Sequence, residues 1–181
     1  MKLNDLFEMS QQIELTNAKI YAQFGLNLGD VDERISHFWE EASKEEWEHY
    51  MWVNFGKKLC SQHLDMEQEV QDIDADRITE ACHQLKGYER RIEKGEMDLG
   101  EAFKTAIKME SGEANVIYQT LMEYIKQAIE KSGKTYLKPR LQEAEEDVDE
   151  HVQEFISAMK RLTDDPSLVQ EATEMLADTQ E

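Results

Sequence analysis

The feature that most constrains this chain is a helical stripe with an acid and an imidazole at its centre. Within "WEEASKEEWEHYMWV", five residues recur at spacings of three and four: Trp39, Ala42, Glu46, His49 and Val53. That spacing places them on one face of a helix. The stripe begins and ends with apolar side chains, so the helix buries its polar centre together with them. An unpaired buried carboxylate is costly, so this centre needs a partner.

Composition and periodicity predict an all-α fold. The 181 residues include only two prolines, Pro139 and Pro166, and eight glycines, and good helix formers dominate. The apolar pattern predicts four long helices, at about 4–24, 32–59, 100–131 and 140–162, and two short ones, at about 76–93 and 167–177. Short loops join the first pair and the last pair of long helices, and a long segment connects the two pairs. This arrangement is typical of a four-helix bundle with one crossover.

We expect residues 1–163 to form the bundle and residues 164–181 to form an acidic amphipathic helix or tail. That helix either docks on the bundle or reaches a partner subunit. Together with the short loops, an exposed apolar C-terminal helix favours a homodimer.

Charge and cysteine usage exclude several classes of function. The net charge of −20 disfavours nucleic acid and anionic membranes as partners. No apolar run resembles a signal peptide or a membrane span. Cys60 and Cys82 are far apart and form no metal-binding motif, so we expect reduced thiols in a cytoplasmic protein.

The other long helices repeat the polar centre. The first carries Glu14, the third carries Glu110 with Glu113 three residues later, and the fourth carries His151 with Asp147 four residues earlier. Acids and imidazoles at one level of a bundle favour a shared cation, because carboxylates bridge metals and each imidazole adds a nitrogen ligand.

These motifs resemble those of the ferritin-like di-iron carboxylate proteins, most closely the rubrerythrin branch. "ELTNAKIYAQFG" resembles the first-helix motif, with Glu14 and Tyr21, and "WEEASKEEWEH" resembles the second-helix motif. "MESGEANVIY" resembles the third-helix motif, with Glu110 and Glu113. The resemblance implies a ferritin-like four-helix bundle with a long crossover between helices two and three.

The resemblance also implies a function. It suggests a site for two irons, with manganese or zinc as alternatives, that reduces peroxide or dioxygen or oxidises ferrous iron during oxidative stress. Tyr21 would act beside the metals by orienting a ligand. Because the chain lacks a cysteine-rich rubredoxin segment, electrons would come from a separate rubredoxin-type protein. The implied metal ligands are Glu14, Glu46, His49, Glu110, Glu113, Asp147 and His151.

One position departs from the family pattern. The family has a glutamate three residues before the fourth-helix histidine, where this chain has Val148. Asp147 or Glu154 could substitute for it. If neither does, the alternative is a binding protein that holds a single metal for storage, delivery or structure without redox chemistry. A third reading, a helical interaction module without metal, leaves several buried acids without a purpose.

Overall fold

The computed structural model describes residues 1–29, 32–71, 73–163 and 165–179, without the side chains of residues 113–114, 146–150 and 175–179. Within these ranges the chain forms a helical bundle with no β-strand, which confirms the all-α prediction. None of the described helices is long and apolar enough to cross a membrane. The helices are α1 (Leu3–Leu28), α2 (Glu33–His63), α3 (Ala75–Glu93), α4 (Leu99–Glu110), α5 (Glu113–Ser132), α6 (Lys138–Leu162) and α7 (Pro166–Thr179), with a 3-10 turn at Thr135–Leu137 before α6.

Helices α1 and α2 form an antiparallel pair. Near the start of α1, Lys57 of α2 lies 3.0 Å from Glu8. Further along α1, the hydroxyl of Ser43 donates to the carbonyl of Ala18 over 2.8 Å. The pair is therefore in register along most of its length, and it brings the middle of α1 against the middle of α2.

Helices α4 and α5 lie beside α2 and run in the same direction. The ring of Phe103 in α4 lies 4.9 Å from that of Trp39. At the other end of α2, a Cβ atom added to Gly56 would lie 2.1 Å from Cδ1 of Ile125 in α5. Only glycine allows this close approach of α2 and α5. Helix α6 returns alongside, and its Phe155 ring lies 5.8 Å from the Trp39 ring.

The third long helix is not continuous, contrary to the expectation for residues 100–131. Helix α4 ends at Glu110 and α5 begins at Glu113. The Ser111 hydroxyl donates to the carbonyl of Ile107 over 2.8 Å, and Gly112 is extended at φ −96° and ψ −165°. Serine competes for backbone hydrogen bonds and glycine has a low helix propensity, so this dipeptide interrupts the helix. The break places Glu110 at the C-terminal end of α4.

Helix boundaries differ from the expected ones by a few residues, and hydrogen bonds at the helix ends define them. The first helix begins at Leu3, whose amide donates to the carbonyl of Gln68 over 3.0 Å. Helix α2 ends at His63, slightly beyond the expected end near residue 59. Asp98 caps α4 and forms a reciprocal capping box with Glu101.

The described part of α7 docks on the bundle. Ala172 is fully buried, and Lys104 of α4 pairs with Glu171. Leu168 lies so close to Gly100 that an added Cβ there would be 2.9 Å from its methyl group. Of the two expected roles for the C-terminal helix, the structure shows docking on the bundle. An exposed apolar C-terminal helix therefore no longer supports a homodimer.

Candidate metal centre

Helices α1, α2, α4 and α6 each contribute a polar side chain to one buried cluster. None of its five members is more than 8% exposed. We call this group the core cluster, and it comprises Glu14, Glu46, His49, Glu110 and His151. Its members lie in the middle of the apolar stripes in which the sequence placed them, so packing of the stripes brings them together.

Glu46 lies at the centre of the core cluster. Its Oε1 atom is 3.8 Å from Nδ1 of His49 and 3.9 Å from Nδ1 of His151. Ligand atoms of these three residues all lie within 4.8 Å of one another, so the group could hold a metal ion. Donors on one cation, each about 2.0–2.2 Å from it, are separated by about 3–3.5 Å, so small side-chain movements would suffice.

One further carboxylate lies beside each imidazole. Oε2 of Glu14 is 3.9 Å from Nδ1 of His49. Oε2 of Glu110 is 3.6 Å from Nδ1 of His151. The core cluster thus has two halves, each with one glutamate and one histidine, and Glu46 lies between them.

Three donors from α1 orient the three carboxylates. Ser10 donates to Oε1 of Glu14 over 3.4 Å, and Asn17 donates to Oε2 of Glu46 over 3.4 Å. Tyr21 donates to Oε1 of Glu110 over 2.5 Å. In each glutamate the other oxygen is the one that faces an imidazole. Sequence reasoning missed Ser10, although its position four residues before Glu14 on the same helical face was a usable signal.

Burial favours the protonated form of two of the carboxyl groups. Burial, and then the neighbouring Glu46, raises the pKa of Glu14 well above its ordinary value. Burial, followed by the charge of Glu110, raises the pKa of Glu46 to about 8. At neutral pH the Glu46 side chain is therefore mainly neutral, and burial favours the neutral form of Glu14 as well, so a bound cation would compete with protons at this position.

Glu110 and His151 carry opposite charges. Burial opposes both charges, but His151 and Tyr21 together hold the pKa of Glu110 below its ordinary value. Burial likewise lowers the pKa of His151, and Glu110, Glu46 and Glu45 more than offset this, raising it to about 9. The position of Glu110 at a helix C-terminus disfavours a negative charge, so these two neighbours determine its state.

Two predicted ligands cannot be compared with the structure. The side chains of Glu113 and Asp147 lie outside the described residues, as does that of Val148. Glu154, the other proposed substitute, lies at the surface and lines the cleft described below. The structure therefore brings together five of the seven predicted ligands.

A cleft of about 390 Å³ connects one side of the core cluster to the surface. His49 and His151 form its inner wall, and the acids around it include Glu45 and Glu154. Glu45 is half exposed, and its Oε2 atom lies 3.7 Å from Nε2 of His151. Its place directly before Glu46 gave no signal of this contact.

Aromatic rings close the opposite side. The ring of Tyr21 lies 5.7 Å from Trp39 and 5.4 Å from Phe155. Tyr118, which is buried, packs its ring 5.0 Å from that of His49. These rings surround the core cluster with apolar surface, and among the described residues the cleft gives a route to it.

Comparison with known proteins gives no relative: no family model matches the sequence, and no curated protein or solved structure matches it significantly.

Proposed function

We propose that this protein is a ferritin-like, rubrerythrin-type metalloprotein that binds two iron ions in its core and reduces peroxide or dioxygen, or oxidises ferrous iron. The observation that carries the proposal is the two-fold arrangement of the core cluster. Glu14 and His49 form one half and Glu110 and His151 the other, and Glu46 lies within 3.9 Å of both imidazoles. A carboxylate between two such halves is suited to bridge two cations.

The donor set fits such a metal. Carboxylate and imidazole together suit iron, manganese and zinc. No described residue forms a hydrogen bond with Nδ1 of His151, although this residue is buried. Iron is preferred because of the sequence resemblance. The direction of α4 and α5 along α2 agrees with a crossover through α3, as expected for a ferritin-like bundle.

Each member of the core cluster has a role in this proposal, and so does each of the three side chains that donate hydrogen bonds to it. Glu14, Glu46 and Glu110 supply carboxylates, and His49 and His151 supply imidazoles. Ser10, Asn17 and Tyr21 are positioning residues that fix one oxygen of each carboxylate. Bound iron would supply the electrons for reduction of peroxide or dioxygen.

The acidic cleft admits small molecules and attracts cations. Glu45, beside Nε2 of His151, can accept or return a proton at that nitrogen. A separate rubredoxin-type protein would provide electrons for repeated turnover.

The test is the oxidation of anaerobically loaded ferrous iron by hydrogen peroxide, followed by stopped-flow absorbance. Glu46→Ala should lose most of the rate, at least about tenfold. Glu33→Ala is the matched control, because Glu33 is an exposed glutamate on the same helix and does not line the cleft. Equal rates in the two variants would exclude the core cluster as the reaction site.

One observation favours a second candidate, a single-metal binding protein without redox chemistry. The compact group is Glu46, His49 and His151, and the sequence has Val148 where the family has a helix-four glutamate. This candidate predicts tight binding of one zinc, manganese or iron ion and no peroxide turnover.

A further inference from the structure

A second pocket, of about 520 Å³, lies between α3 and the helices α1, α4 and α5. It shares no lining residue with the acidic cleft beside the core cluster. Its volume is within the range of about 300–1,000 Å³ that is typical of small-molecule sites. We call it the α3 pocket, and its apolar lining residues are Ile13, Ala81, Leu85, Tyr88, Met109 and Val116.

The apolar lining of the α3 pocket extends from the core to the surface. Ile13, Leu85 and Met109 are buried and form its floor, whereas Val116 is 47% exposed on its wall. Gly112, at the break between α4 and α5, also lines the pocket and has no side chain to fill it. Apolar surface in contact with water is unfavourable, so a ligand with an apolar chain gains free energy by covering these side chains.

The charges at the rim of the α3 pocket favour an anionic group. Among its described lining residues, Arg77 and Lys108 are cationic and Glu80 is anionic. The Gln84 amide donates to the Glu80 carboxylate over 3.5 Å. Arg77 lies 3.8 Å from Asp74, which does not line the pocket, and the Arg77 side chain is still 70% exposed. The rim therefore has a surplus of positive charge in a chain whose net charge is −20.

Two helix ends at the rim contribute to the same preference. Lys108 lies in the last turn of α4, where a cation offsets the negative carbonyl end of that helix. The 20-residue helix α5 begins after Gly112, which has no side chain with which to cap its first amide groups. The amide end of a helix attracts anions, so a ligand carboxylate near Gly112 would be stabilised.

We propose that the α3 pocket binds a single-chain aliphatic carboxylate, that is, a free fatty acid of medium length. Its alkyl chain lies along Ile13, Leu85 and Met109, and its carboxylate lies at the rim near Lys108 and Arg77. A volume of about 520 Å³ suits one such chain and is too small for a two-chain phospholipid. This inference uses no residue of the core cluster and is independent of the proposed function.

The first test is calorimetric titration of the full-length chain, in chelator, with hexanoate, octanoate and decanoate at concentrations up to about 5 mM. The acidic surface repels carboxylates elsewhere on the chain. Affinity should rise about threefold for each added methylene, because each buries further apolar surface. The neutral 1-octanol should bind at least about tenfold more weakly than octanoate. No binding, affinity that is independent of chain length, or equal affinity for octanol and octanoate would overturn the proposal.

Two matched pairs of variants then locate the site. Ala81→Trp fills the α3 pocket and should reduce decanoate affinity at least about tenfold, whereas His83→Trp adds the same ring at an exposed position of α3 outside the lining. Lys108→Glu should reduce octanoate affinity at least about tenfold and leave octanol binding unchanged. Lys86→Glu, at an exposed position outside the lining, is its control. Circular dichroism checks that each variant is folded. Equal affinities within either pair would overturn the proposal.

Discussion

Tyr21 donates its phenolic hydrogen to Oε1 of Glu110 over 2.5 Å, which connects the middle of α1 to the end of α4. The other oxygen of that carboxylate lies 3.6 Å from Nδ1 of His151. One buried carboxylate is thereby shared by three helices. The Tyr21 hydroxyl thereby fixes the orientation in which the carboxylate faces His151.

Removing this hydroxyl should affect both stability and metal binding. Tyr21→Phe deletes a hydrogen bond to a charged group, so the metal-free protein should lose about 1–3 kcal/mol of unfolding free energy. Metal affinity should fall about 10–100-fold, because Glu110 is no longer held in place. Urea unfolding and metal titration measure the two effects. Tyr136→Phe, at an exposed tyrosine, is the control. If Tyr21→Phe behaves like the control in both assays, Tyr21 does not position Glu110.

The metal-free protein should lose stability as pH rises from about 5 to 9. Burial raises the pKa of Glu14 and of Glu46, the latter to about 8, so the folded state holds these protons more tightly than the unfolded state. The pKa of His151 is raised to about 9, and its contribution is complete below 6.5 and lost through 9. All three groups therefore lower the free energy of unfolding as the pH rises. The pKa of Glu110 is lowered, so this group contributes stability that is lost only when the pH falls below its ordinary pKa.

Urea unfolding in chelator at a series of pH values checks this prediction. Glu46→Gln, which keeps the shape but cannot titrate, should reduce the slope between pH 5 and 8. A stability that increases over this range, or an unchanged slope in the variant, would contradict the assigned protonation states.

Metal binding at pH 7 should release protons. Glu46, with a pKa of about 8, and His151, with a pKa of about 9, both carry a proton at pH 7 in the metal-free cluster. Filling the site should therefore displace about two protons. Calorimetry in buffers of different ionisation enthalpy counts them, and Glu46→Gln should release about one fewer. Binding without proton release would show that the cation binds elsewhere.

Two glycines should respond oppositely to alanine. At Gly56 an added methyl would meet Ile125 at 2.1 Å, so Gly56→Ala should destabilise the protein by about 1–3 kcal/mol. Ile125→Val removes the clashing Cδ1 atom and should restore part of the loss. At Gly87 nothing lies within 4 Å, so Gly87→Ala within α3 should stabilise by about 0.5–1 kcal/mol. Equal effects at both positions, by thermal or urea unfolding, would contradict the packing of α2 on α5.

Periodicity predicted the helices well, because the apolar stripes that define them are also the surfaces they bury. The same stripes located Glu14, Glu46, His49, Glu110 and His151, since a polar residue within an apolar stripe is buried with it. The break at Ser111 and Gly112 was missed because the apolar spacing continues across it. Local backbone competition, which periodicity does not register, interrupts the helix there.

Contacts between helices could not be predicted as well from the sequence. Glu45 is adjacent to Glu46 yet reaches His151 on α6, which depends on how α2 and α6 approach each other. Trp47 is half exposed because it lies on the outer side of α2, although a tryptophan is usually largely buried. The C-terminal helix had two equally consistent placements, and only tertiary packing distinguishes them.

The most direct test of the central claim is metal content per chain, by elemental mass spectrometry. The protein would be purified without chelator, reloaded anaerobically with ferrous iron and passed through a desalting column. The account predicts two irons per chain, lost in Glu46→Ala and retained in Glu33→Ala. One iron per chain would support the single-metal alternative. No bound metal in the wild-type protein would contradict the account and leave the core cluster as a polar core only.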